Sequence, residues 1–197
     1  MKQLLLLTFL PLFAFAQPPD YNLNTIKFIQ GDSTCIISGF PDSITLDKKP
    51  FALRYYCKVY NSKKGKFYSA QVAILDNATD TAFAKVGQKL EDIPYFQMGT
   101  GFASIKGKGY DTAFVSASGH HYLFYENEKD KRVTRVATHP GGVLELEWRI
   151  LALNHDGENV SFHELRTDNL YFVIFIDQNL NGVIDKSELK IMKIKFR

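Results

Sequence analysis

Over most of its length this chain places apolar residues at every second position, a spacing that a strand can bury and a helix cannot. Residues 51–61 set Leu53, Tyr55, Cys57 and Val59 against Arg54, Tyr56, Lys58 and Tyr60. Residues 143–153 set Leu144, Leu146, Trp148 and Ile150 against Glu145, Glu147 and Arg149, and residues 192–197 alternate again. Each pattern predicts a strand with one face on a core and one in water. Residues 170–176 are apolar without a break, which predicts a strand covered on both faces. Shorter strand signals lie at 34–38, 67–75, 114–118, 121–125, 132–138 and 160–166, separated by Gly, Asn and Asp. The expectation is an all-β chain, a β-sandwich or jelly roll of roughly ten short strands.

Turn chemistry suggests how these strands connect. Lys63-Lys64-Gly65-Lys66 predicts a hairpin between 51–61 and 67–75. Asn154-His155-Asp156-Gly157 predicts a second tight turn, since Asp-Gly tolerates the positive φ that hairpins need. Residues 81–90 are the best helix candidate, weakened by Gly87 inside them and Pro94 just beyond. His139-Pro140-Gly141-Gly142 breaks any element, so 138–142 is the one place where a domain boundary fits. Otherwise residues 17–197 read as a single domain.

The first residues read Met1-Lys2-Gln3, an apolar run at 4–13, then Ala14-Phe15-Ala16. That is the layout of a signal peptide with cleavage after Ala16. The run is too short to span a membrane, and no later segment is a transmembrane candidate. An exported protein is expected, periplasmic, cell-surface or extracellular. The net charge of +3 is too small to argue for a nucleic-acid partner. Two cysteines, Cys35 and Cys57, permit one bridge in an oxidising compartment, or stand as two buried thiols.

One constellation names a ligand. Residues 177–188 read Asp-Gln-Asn-Leu-Asn-Gly-Val-Ile-Asp-Lys-Ser-Glu, with oxygen side chains at positions one, three, five, nine and twelve and Gly at six. This spacing resembles the calcium loop of EF-hand proteins and is similar to those of calmodulin-like and dockerin-like proteins. The resemblance implies Ca2+ held by Asp177, Asn179, Asn181, the Val183 carbonyl, Asp185 (through water) and Glu188, with Gly182 for the sharp turn and Ile184 pinning the loop to the core. It covers twelve residues and departs at position four, where Leu180 is large and apolar. The flanks are strand-like, so the comparison is with such loops set between two C-terminal strands in exported bacterial β-domains. Three acids and two amides suit the weak sites of extracellular modules.

Other chemistry is sparse. His120 and His121 are adjacent and face opposite sides of a strand. His139, His155 and His163 have no zinc-ligand spacing. Glu145 and Glu147 share a strand face, a pattern also found in laminarinase-like β-sandwich glycosidases, but here without a further acid. The Gly-rich stretch 99–109 lacks the Gly-Lys-Ser/Thr ending of a phosphate loop, and its aromatic neighbours Tyr95, Phe96, Phe102 and Tyr110 suit a core anchor or a ligand platform. The expected function is a non-catalytic binding or interaction module with structural calcium and a protein or glycan ligand. The alternative is an extracellular hydrolase acting on glycan or protein, with its site at 99–109.

Overall fold

The computed structural model describes residues 23–37, 43–58, 69–93, 111–116, 119–124, 133–155 and 157–197. The signal-peptide reading, the Lys63–Lys66 turn, Tyr60 and the 99–109 loop therefore lie outside the described residues. Thirteen strands are found among the described residues. One sheet runs β2 (Ser33–Ile37), β1 (Ile26–Gln30), β4 (Phe51–Lys58), β9 (Val143–Ile150) and β8 (Thr134–His139), antiparallel throughout. A second runs β3 (Ser43–Leu46), β13 (Leu189–Phe196), β12 (Asn169–Ile176), β5 (Ser69–Leu75) and β7 (His121–Phe124), with β3 parallel to β13. A small third sheet joins β11 (Glu158–Val160), β10 (Ala152–His155) and β6 (Thr112–Val115). The chain is an all-β sandwich.

The alternation read from the sequence is what packs the two large sheets. Leu144, Leu146, Trp148 and Ile150 of β9 and Leu53, Tyr55 and Cys57 of β4 enter one core with Leu170, Phe172, Ile174 and Ile176 of β12. Phe28 meets Phe172 across it edge-on at 5.8 Å, a geometry that aromatic quadrupoles favour. The Tyr55 hydroxyl, wholly buried, donates to the Leu123 carbonyl of the opposite sheet at 3.3 Å. His121 is buried beside Trp148, ring centroids 4.7 Å apart, and the Phe114 N–H donates to its Nε2 at 3.0 Å.

The apolar run at 170–176 is buried on both faces, as its composition requires. Its other face, Val173 and Phe175, packs in a second core with Ala73, Leu75, Ala84, Ile93, Ile184 and Leu189. The cover is the segment after β5 together with the 177–188 loop. That segment is not the α-helix expected at 81–90. It makes a short 3-10 turn at Ala78–Phe83, capped by the Asn77 side chain, and a second at Leu90–Asp92. Between them Ala84 is extended and Gly87 sits at φ 91°, which a continuous helix forbids.

The connectivity read from the turns is corrected for the first hairpin. β4 and β5 do not form a hairpin: β4 lies between β1 and β9, whereas β5 lies between β12 and β7 in the other sheet. Alternation shows which face of a strand is buried and leaves its partner open. Residues 139–142 form the turn of the β8–β9 hairpin, with His139 opposite Val143. The expected Asp-Gly turn has Gly157 at φ 86°, while Asp156 lies outside the described residues. The turn joins β10 to β11 rather than β9 to its neighbour.

The cysteines are free. Cys35 and Leu53 both sit opposite Phe28 on either side of β1, and Cys57 lies four residues further along β4. Strand spacing and rise place the two Cα atoms roughly 15 Å apart, about twice the reach of a disulfide. Burial raises the Cys57 thiol to about 12.

Candidate functional site

Residues 177–188 connect β12 to β13, neighbouring antiparallel strands in the second sheet, and the Ile176 N–H closes the loop on the Glu188 carbonyl at 3.1 Å. The oxygen-bearing side chains turn inward and cap the loop's own backbone. Asp177 Oδ2 accepts from the Gly182 N–H at 3.0 Å, Asn179 Oδ1 from the Asn181 N–H at 3.0 Å, and Asn181 Oδ1 from the Val183 N–H at 2.7 Å. Glu188 Oε1 accepts from the Gln178 and Asn179 N–H groups at 2.7 and 3.4 Å, and its Oε2 from the Asp185 N–H at 3.2 Å. Asp185 Oδ2 accepts from both asparagine amides, at 2.7 and 3.2 Å. All five side chains are thus tied to one ring of twelve residues.

Two features of that ring are electrostatically incomplete. Asp177 Oδ1 is buried and makes no hydrogen bond, which is costly for a carboxylate oxygen. Glu188 is only 5% exposed. Burial, with the charge of Asp177, pushes its carboxyl above the ordinary range although three N–H donors pull the other way. Asp177, Asp185 and Glu188 are not themselves gathered into a tight triad. Among the described residues no three His, Cys, Asp or Glu side chains form such a group.

The surroundings hold the loop firmly. The Ile184 N–H donates to the Gln88 carbonyl, and Ile184 and Gly182 accept from the Gly87 and Leu90 N–H groups. Lys89 and Val183 therefore face each other as an antiparallel bridge. In that pairing the N–H and C=O of Val183 turn away from Lys89, and its N–H goes to Asn181 inside the loop. Leu180 adopts φ 56° and rests against the main core. The packing accounts for a large apolar residue where the backbone cost is about 1–2 kcal/mol. Gln178, which no motif marked, donates from Nε2 to the Leu23 and Tyr56 carbonyls, both at 3.0 Å. It fastens the loop across to the end of β4 in the other sheet.

A second polar constellation occupies the outer face of the first sheet. Glu145 and Glu147 are only 7% and 8% exposed, a correction to the expectation that this face of the strand lies in water. Glu145 Oε1 takes Lys27 Nζ at 3.0 Å and the Tyr56 hydroxyl at 3.3 Å, and Oε2 meets His139 Nε2 at 3.0 Å. Glu147 is held by Arg54 on one oxygen and Arg149 on the other. Burial raises both carboxyls, but the Lys27 and His139 hydrogen bonds on Glu145, and those of Arg54 and Arg149 on Glu147, outweigh it and leave both below the ordinary range. Tyr56 faces outward as expected but is 5% exposed, covered by Lys27, whose Nζ lies 5.0 Å from its ring centre. Cross-strand neighbours made this cluster, and one strand read alone does not reveal it.

His120 is buried like its neighbour His121, and the last two histidines lie elsewhere. His155 meets Asp76 at 3.1 Å, and His163 lines a shallow groove of about 370 Å3 with Lys48, Leu151 and Val160. No helix among the described residues is long and apolar enough to cross a membrane. Comparisons of this chain with protein-family models, curated proteins and solved structures find no match.

Proposed function

We propose that this protein is an exported calcium-binding β-sandwich that serves as a surface or periplasmic interaction module, with calcium as a structural staple. The observation that carries the ion is the buried, unbonded Asp177 Oδ1 inside a ring of hard oxygen donors. Asp177, Asn179, Asn181, the Val183 carbonyl, Asp185 and Glu188 are the residues that would hold it. Their all-oxygen character suits calcium rather than zinc or copper. A divalent cation supplies the counter-charge that Asp177 and Glu188 lack, and fixes the β12–β13 connection against the 87–90 segment.

The non-catalytic reading rests on Glu145 and Glu147. A glycosidase needs one carboxyl that keeps its proton near neutrality and one that is free to attack or to activate water. Here both carboxylates are neutralised by cations and held in the charged form, which disfavours the hydrolase alternative on this face.

The test is thermal unfolding of chelator-treated protein with and without calcium. At ten times the dissociation constant, linkage gives about 1.4 kcal/mol, or about 3–6 °C for a chain of this size. Asp177→Ala and Glu188→Ala should each remove the gain. An unchanged melting temperature in millimolar calcium refutes the ion.

A further inference from the structure

Among the described residues, the five-residue strand β2 forms one edge of the first sheet. Natural sheets guard such edges with charge, proline, bulges or brevity. The opposite edge, β8, is bulged between Arg135 and Ala137 and carries Arg135 and His139. The other edge strands β3, β6, β7 and β11 have three or four residues. β2 reads Ser-Thr-Cys-Ile-Ile, with no charge, no proline and an unbroken register against β1. Its residue Ile36 is 62% exposed, the most exposed large apolar side chain among the described residues.

The direction of its backbone groups follows from the hairpin. Gln30 faces Ser33 across the two-residue turn Gly31-Asp32, with Gly31 at φ 57°. The closing pair of such a turn exchanges both hydrogen bonds, and pairs alternate from there. Ser33, Cys35 and Ile37 therefore aim their N–H and C=O groups at β1. Thr34 and Ile36 aim theirs away from β1, where no described strand pairs with them.

We propose that β2 is the docking edge for a second copy of this chain, through an antiparallel β2–β2 pair centred on Cys35. In that register all five residues find a partner. Thr34 of each copy lies opposite Ile36 of the other, so the four outward-aimed backbone groups of each copy are satisfied. Cys35 meets Cys35 as a pair without mutual backbone hydrogen bonds, where Cα atoms approach to about 4.5 Å, within disulfide reach. The pairing is isologous and uses each edge once, so it closes as a dimer with a continuous ten-stranded sheet. A self-complementary uncharged strand selects its own copy over a charged partner. One strand pair buries less than a standard interface, so the dimer is reversible and depends on concentration. The inference is independent of the ion.

The test oxidises the purified protein with diamide. Two thiols lose two protons and two electrons as the S–S bond forms, and diamide is reduced to its hydrazine. A disulfide-linked dimer is expected, retained in Cys57→Ser and abolished in Cys35→Ser. The double variant Thr34→Lys, Ile36→Lys sets like charges opposite each other in this register and should cut the cross-linking yield severalfold. The double variant Thr34→Glu, Ile36→Lys sets opposite charges there and should keep it. Sedimentation of the unoxidised proteins should follow the same order, with folding checked by unchanged melting. A monomer at every concentration with no cross-link overturns the proposal. So do equal yields from the two double variants, or Thr34 and Ile36 amides protected from exchange in a monomer, which would mean that another part of the same chain covers the edge.

Discussion

Ile184 is where the calcium-type loop and the second core become one object, and replacing it separates the two. Its side chain is fully buried among Val173, Phe175, Ile93 and Ala84, while its N–H and C=O pair with residues 87–88. Ile184→Ala deletes three carbons and leaves every proposed calcium ligand in place. At about 0.8 kcal/mol per buried methylene the transfer loss is about 2.4 kcal/mol, and the cavity left behind raises the total to about 3–4 kcal/mol. For a chain of this size that is a fall of about 10 °C in melting temperature. The assay is urea unfolding with a chelator present, repeated in calcium. Because the loop loses its anchor, the calcium-dependent gain should shrink as well. A loss below about 1 kcal/mol, the size of a surface change, would refute the second core as the anchor. A full loss with an undiminished calcium gain would show that the loop binds its ion without the core beneath it.

Three further outcomes follow from the charges and hydrogen bonds. In metal-free protein the raised Glu188 carboxyl contributes stability that is present below the ordinary carboxylate range and is lost as pH rises through its folded value. Glu188→Gln should therefore flatten that loss in melting curves taken with a chelator, and become the less stable protein at neutral pH once calcium is added. Glu145 has the opposite sign: its folded value is depressed, so its contribution is present above the ordinary carboxylate range and lost as pH falls through the folded value. Glu145→Gln should lower stability at neutral pH and reduce its fall in acid, read by urea unfolding as a function of pH. Gln178→Ala removes the two hydrogen bonds that tie the loop to Leu23 and Tyr56, and should cost about 1–3 kcal/mol and quicken amide exchange at the end of β4.

The longer strands with one face buried and one wet were legible; β1 and β3, shorter and with the same alternation, were not, and 160–166, expected as a strand, holds a 3-10 turn at Phe162–Glu164. The period of two in 51–58 and 143–150 placed Leu53, Tyr55, Leu146 and Trp148 in the core, and the unbroken run at 170–176 marked the strand with cover on both sides. What alternation does not encode is the partner. β4 and β5 follow each other in the chain yet lie in different sheets, because either sheet buries the same pattern. The 81–90 segment carried helical composition, but its task is to cover Val173 and Phe175, and tertiary packing overrode a weak propensity. The loop at 177–188 was legible as a set of side chains because every proposed ligand sits inside one short window. Gln178 was not, since its partners are 155 and 122 residues away. The Lys27, Tyr56, His139 and Glu145 cluster was hidden for the same reason: four strands supply it.

Direct calcium binding tests the account most sharply. Chelator-stripped protein titrated with calcium by calorimetry should take up one ion per chain, with a dissociation constant of about 0.1–1 mM, as in extracellular modules. Asp177→Ala should abolish the binding heat while the protein remains folded. No saturable heat in millimolar calcium, or the same heat in Asp177→Ala, would contradict a calcium staple between β12 and β13.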